Sequence, residues 1–224
     1  MTLTPEIVYN LTALTLAPMM ERCAGREVHA VQRAIYLEVR DAWQQRWPIG
    51  DVRWEELCGR VRTSYFYGLD FPAGNAARAG RVSVYSSYAI YAVEQATLGR
   101  PAELMAQAVD LATACRANGI NLRLPYLDTG ILKEIAAKRL ILDMGTFHGG
   151  DVGGTTHCRA GATILRVGPV AIELGKYFGS GRVARAIYAS SHPGEPLPDL
   201  HTDEATAVAD MKRRAEFEPR RARR

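Results

Sequence analysis

The sequence predicts an all-α protein, and three observations carry that prediction. Apolar residues recur at three- and four-residue steps along most of the chain. Proline and glycine fall where those periodic runs start and stop. No stretch sustains a two-residue alternation, although residues 81–85 and 120–124 are short enough to be read either way. The expected organisation is an N-terminal helical bundle (1–120), a smaller C-terminal helical module with a Gly-rich loop (121–214), and a basic tail (215–224).

Each element follows from local chemistry. Thr4 and Pro5 open a first helix with Ile7, Leu11 and Leu14 on one face, since proline is pre-organised for the first helical position. Val28, Val31, Ile35, Val39 and Ala42 define a second helix over 27–47, stopped by Pro48 and Gly50. Asp51 caps a third that turns Trp54, Leu57 and Val61 inward. Glycine, proline and asparagine over 68–81 predict a long loop, and Gly99 ends the helix over 83–98. Pro101 starts the next, lined by Leu104, Ala108, Leu111 and Cys115, with Gly119 as its left-handed cap. Asp128 is expected to cap a helix containing Ile131, Leu132 and Ile135. Helices over 156–167, 169–178 and 182–190 follow, the last two separated by Gly179-Ser180-Gly181. Pro193, Pro196 and Pro198 make a stiff extended connector. Asp203 then caps a final helix with Ala205, Val208 and Met211 facing inward.

Composition bounds the function. With 47% hydrophobic and 23% charged residues, the chain has an ordinary globular balance. The uncharged run over 7–20 is 14 residues long and includes Asn10, Thr12 and Thr15. A spanning helix needs about 20 apolar residues, so no membrane association is expected. Cys23, Cys58, Cys115 and Cys158 lie far apart and form no CxxC, which argues against a zinc finger or a disulfide framework and for a reducing cytoplasm. The net charge of +4 is local: residues 212–224 hold seven basic side chains and two acidic ones, leaving about −1 for the rest. Lys212, Arg213, Arg214, Arg220, Arg221, Arg223 and Arg224 form an arm suited to phosphate contacts, or simply to solvation of the terminus.

One segment has the composition of a chemical site. His148, Asp151, His157 and Cys158 fall within eleven residues of a glycine-rich stretch. Cys158 at a helix start reads as a nucleophile with His148 as base, because adjacent helical residues diverge and His157 serves it poorly. The same four residues have the types that zinc accepts, without the spacing of an established finger. Glycine-freed amides offer an anion site, though the framing of a phosphate-binding loop is missing. A tight loop with Cys158 packed as a small apolar residue is the fourth reading. No cofactor motif is present.

These residues resemble those of a group of uncharacterised bacterial and phage proteins. The resemblance rests on Asp143-Met144 with His148, on the run from Thr155 through Gly161, on Ala184, Ile187, Tyr188 and Pro193, and on Asp210-Met211-Lys212. It covers roughly residues 128–214. The group's first cysteine falls on Gly153 here, its aromatic after Ala-Gly on Ala162, and one extra residue precedes Pro193. The resemblance implies a small helical module carried on mobile elements, and an accessory role such as interference with a host defence complex fits that context.

A second region is rich in aromatics and arginine. Trp43, Trp47, Tyr65, Phe66 and Tyr67 with Arg60 and Arg62 have the composition of a core or, where exposed, of an interaction patch. The functional expectation is a non-enzymatic protein that binds a macromolecule, protein first and nucleic acid second. A small Cys/His-centred hydrolase or transferase and a tail-driven nucleic-acid binder are the alternatives.

Overall fold

A computed structural model of the chain describes residues 101–145, 148–149 and 156–221, together with scattered positions between 3 and 45. The described part is mostly helical. Its elements are α1 (Pro101–Ala117), α2 (Leu127–Ala136), three two-residue strands, β1 (Ile141–Leu142), β2 (His148–Gly149) and β3 (Thr156–His157), then α3 (Arg159–Val167), α4 (Pro169–Phe178), α5 (Ser180–Ser191), α6 (Glu204–Ala215) and α7 (Glu218–Arg221). No helix among these residues is long and apolar enough to cross a membrane.

Helix α1 forms as its sequence predicts. Proline opens it, Glu103 sits in the first turn and Arg116 in the last, each complementing the helix dipole. Gly119 adopts φ +74, and the Ile120 amide donates back to the Cys115 carbonyl at 2.8 Å.

Helices α3, α4 and α5 follow one another with single-residue connections. Gly168 (φ +95, ψ −158) and Gly179 (φ +80, ψ +135) make the two turns, in conformations that a Cβ would strain. The expected Gly179-Ser180-Gly181 loop is thus Gly179 alone, and Ser180 and Gly181 already belong to α5. This chain reversal places α5 at the centre, packed on α1, α3 and α4. Its Val183, Ala184, Ala186, Ile187, Tyr188 and Ser191 are all buried. Helix α6 packs on α2. Asp203 caps α6 as predicted, accepting from the Thr206 amide at 2.9 Å. Its inward stripe differs in part from the expected one. Met211 is buried and Val208 packs partly buried against the core, as expected, but Ala205 is exposed, and Ala207 and Arg214 turn inward.

Two further differences have physical causes. Thr156 is in a strand, so α3 starts at Arg159 with Cys158 as its N-cap, and that cap makes no side-chain bond. The strands escape a periodicity search because two residues cannot show alternation. They join as a sheet of order β1-β3-β2, with β1 parallel and β2 antiparallel to the central β3. Residues 120–124, by contrast, are not a strand.

Described residues on the two sides of position 120 touch in several places. Leu3, Val8 and Leu11 share one buried cluster with Leu111 of α1, Ile131 of α2 and Ile187 of α5. Arg22 bridges Glu103 (3.1 Å) and Asp110 (2.6 Å) of α1. The Leu3 amide donates to Glu173 of α4 at 3.3 Å. Residues on both sides of 120 therefore fill the same core. The helices predicted over 27–98 within the 1–120 bundle lie outside the described residues, apart from Gln45.

Candidate functional site: a buried ionic cluster

The polar chemistry of the described residues converges where α2, α3, α5, α6 and α7 meet. Asp128, the second residue of α2, is fully buried. Its Oδ1 accepts from the Tyr188 hydroxyl at 2.7 Å and from Arg159 Nη2 at 3.3 Å. Arg159 Nε also donates to the Tyr188 hydroxyl at 2.8 Å, and Nη1 to Asp210 Oδ2 at 2.8 Å. Because a guanidinium only donates, the single Tyr188 proton must point to Asp128. The Arg159 guanidinium also lies 4.9 Å from the Tyr188 ring centroid, within cation–π range.

A second guanidinium closes the far side. Arg214 is buried; its Nε donates to Asp210 Oδ2 (2.8 Å), Nη1 to Glu195 Oε2 (3.1 Å) and Nη2 to the Pro196 carbonyl (2.8 Å). Arg213, on the exposed side, donates to Asp210 Oδ1 at 2.6 Å. On the near side the Tyr188 and His192 rings, one helical turn apart, stack at 5.7 Å between centroids. His192 Nε2 lies 3.1 Å from Asp128 Oδ2 and 3.5 Å from Glu218 Oε1.

Glu218 supplies what α2 lacks at its start. The N-cap residue, Tyr126, makes no side-chain cap bond. Glu218 Oε1 accepts the Asp128 amide at 2.7 Å, and Oε2 accepts the Thr129 amide at 3.0 Å. A carboxylate at a helix N-terminus satisfies orphan amides and complements the dipole. The expectation that Asp128 itself caps α2 is corrected here. Its carboxylate turns inward to Arg159 and Tyr188, and a residue from the C-terminal segment takes over the capping.

The charge states follow from these contacts. Burial disfavours the Arg159 cation, but the oxygens of Tyr188, Asp128 and Asp210 outweigh it and raise its pKa above the ordinary value. Burial pushes the Tyr188 hydroxyl up, with the Asp128 charge adding to it, so Tyr188 stays a neutral donor. Burial also pushes the Asp210 carboxyl up, yet hydrogen bonds from Arg214, Arg213 and Arg159 more than offset this and hold it well below the usual carboxylate range.

The residues singled out in the sequence fare differently. His148 and His157 are register partners across β2 and β3, and Thr156 pairs with Gly149. His157 is buried, with its carbonyl accepting the Asp143 amide at 3.0 Å. Cys158 is 7% exposed and packs with Ala160, Ala184 and Leu200. Asp151 lies outside the described residues, as do Trp43, Trp47, Arg60, Arg62, Tyr65, Phe66 and Tyr67. Within the basic arm, Lys212 and Arg213 are exposed. Arg214 is not part of that surface, because its three nitrogens face the interior. Arg220 and Arg221 belong to α7, and Arg223 and Arg224 lie outside the described residues.

Sequence reasoning overlooked Arg159, Tyr188, His192, Asp210 and Glu218 as one constellation. Two signals pointed to part of it. Positions 207, 211, 214 and 218 step by four, three and four, so Arg214 and Glu218 continue the stripe of Ala207 and Met211. Tyr188 and His192, the residue that caps α5, stand at i, i+4. Arg159, Tyr188 and Asp210 come from three separate helices, α3, α5 and α6. Compared with known proteins, the chain matches no family model, no curated protein and no solved structure.

Proposed function

We propose that the protein is a non-enzymatic binding module whose first partner is another protein. The observation that carries this reading is an exposed aromatic pair flanking the α7–α2 contact. Tyr126 and Phe217 are 47% and 41% exposed, and each lies next to or two residues from the residues joined by the Glu218 cap. Lys212 and Arg213 add positive charge on the neighbouring α6. Exposed aromatics beside arginine have the composition of interface anchors. Asp128, Arg159, Tyr188 and His192 at the centre of the ionic cluster beneath are buried, which suits them to holding that surface rigid rather than to turning over a substrate. Interference with a host protein complex is one activity that such a surface serves.

The test is affinity purification of the tagged protein from its host, comparing the wild type with a Tyr126→Ser, Phe217→Ser double variant of equal thermal stability. A stoichiometric partner retained by the first and lost by the second supports the reading. An unchanged partner set counts against it.

A second reading has one observation in its favour, the exposure of Lys212 and Arg213 next to the arginine-rich terminus. A nucleic-acid binder of this kind shows affinity for an oligonucleotide that falls steeply with salt. Removal of residues 220–224 should then flatten that slope.

A further inference from the structure

The three groups around His192 have the chemistry of a metal site. Asp128, His192 and Glu218 each offer one ligand atom, these atoms lie within 4.8 Å of one another, and all three residues are buried. We propose that they bind a first-row divalent cation of the zinc type through Asp128 Oδ2, His192 Nε2 and Glu218 Oε1. The donor set of one imidazole and two carboxylates is one that such ions accept.

Three independent features point to a ligand here. Asp128 Oδ2 is buried and has no hydrogen-bond partner, although the other oxygen of the same carboxylate has two. With His192 Nε2 at 3.1 Å but in no hydrogen-bonding geometry, that oxygen is satisfied either by a protonated imidazole or by a cation held between the two. Two of the three ligand separations fit a tetrahedral ion, and the third lies within 4.8 Å. Zinc bonds of about 2.0–2.1 Å give tetrahedral ligand separations of about 3.3 Å. Nε2 stands 3.1 Å from Asp128 Oδ2 and 3.5 Å from Glu218 Oε1. Electrostatics agree: Asp128 and Glu218 both approach His192 Nε2, and the guanidinium paired with Asp128, Arg159, is shared with Asp210.

The surroundings already orient the ligands, as outer contacts do in metal centres. Tyr188 and Arg159 hold Asp128 Oδ1 and so turn Oδ2 toward His192. The Asp128 and Thr129 amides hold the Glu218 carboxylate, whose Oε1 keeps a lone pair beyond the one bond it accepts. A cation so placed pins the C-terminal α7 to the start of α2.

Cobalt(II) added to the chelator-treated full chain provides the probe. One equivalent should bind, giving tetrahedral or five-coordinate d–d bands without a thiolate charge-transfer band, and zinc should displace it. His192→Gln, checked for native circular dichroism, should lose this binding. Hydrogen exchange at the Asp128 and Thr129 amides should slow on adding zinc to the wild type, a readout that needs no variant. A folded wild type that binds no equivalent, a thiolate band implicating Cys158, or full binding by folded His192→Gln overturns the proposal. If His192→Gln does not fold, the wild-type spectrum and the amide exchange decide alone. Partner binding through Tyr126 and Phe217 is measured separately and is independent of either outcome.

Discussion

The buried carboxylate of Glu218 accepts the backbone amide of Asp128 at 2.7 Å across 90 residues of sequence. The C-terminal segment is therefore part of the helical core rather than an appendage to it, and the residue that it caps is the acidic centre of the ionic cluster. The consequences can be measured.

Glu218→Ala removes two charge-assisted bonds and leaves the buried Asp128 amide and the part-buried Thr129 amide unsatisfied. A loss of about 2–4 kcal/mol is expected, since bonds to charged groups contribute about 1.5–3 kcal/mol each and unpaired buried groups add a penalty. Urea unfolding checks the magnitude. Protease nicking within α7 should accelerate in the same variant, because the segment loses its anchor.

Arg159→Met fills similar volume but leaves Asp128 buried without its cation. Breaking one side of a buried pair costs about 3–5 kcal/mol. Tyr188→Phe removes only the hydroxyl, which both accepts from Arg159 and donates to Asp128, and should cost about 1–3 kcal/mol. The two effects should fall short of additivity in a double-mutant cycle, because the hydroxyl bridges the other two groups.

Asp210 makes stability depend on acid. Its folded pKa is depressed, so it binds fewer protons folded than unfolded, and its contribution is fully present above the ordinary carboxylate pKa. That contribution is lost as pH falls below about 4 and through the lower folded value. Asp210→Asn should therefore be clearly less stable than the wild type at pH 7, with the gap narrowing as the pH is lowered. A constant gap across that range would show that proton linkage at Asp210 is not its source.

Thiol labelling separates the cysteines. Burial pushes the Cys115 thiol up to about 12, and Cys158 is packed in its own apolar cluster. Both should react with a thiol reagent at neutral pH far more slowly than a free thiol, and at full rate in denaturant. Rapid native labelling of Cys158 would instead favour the Cys/His enzyme.

Helices with whole-turn apolar stripes were legible before any coordinates. Pro101, Gly119, Gly168 and Asp203 mark starts and stops by local backbone and capping chemistry, which acts within a few residues and so is written in order along the chain. The sheet was not legible, because pairing two-residue strands depends on which segments the helices bring together.

The site shows the same division. Asp128 looked like a cap because an aspartate at a helix start usually is one, and that is a local inference. Its real role is decided by Arg159, Tyr188 and Glu218, which are 31, 60 and 90 residues away. Arg214 looked like part of a solvated arm because its neighbours are basic, yet the α6 stripe carries it inward to Asp210 and Glu195. By itself the sequence determined the helical class and where most described helices begin and end, since propensity and capping are short-range. Only the tertiary structure decided which charges are buried together, because a buried ion pair is set by long-range packing that leaves no periodic trace in the chain.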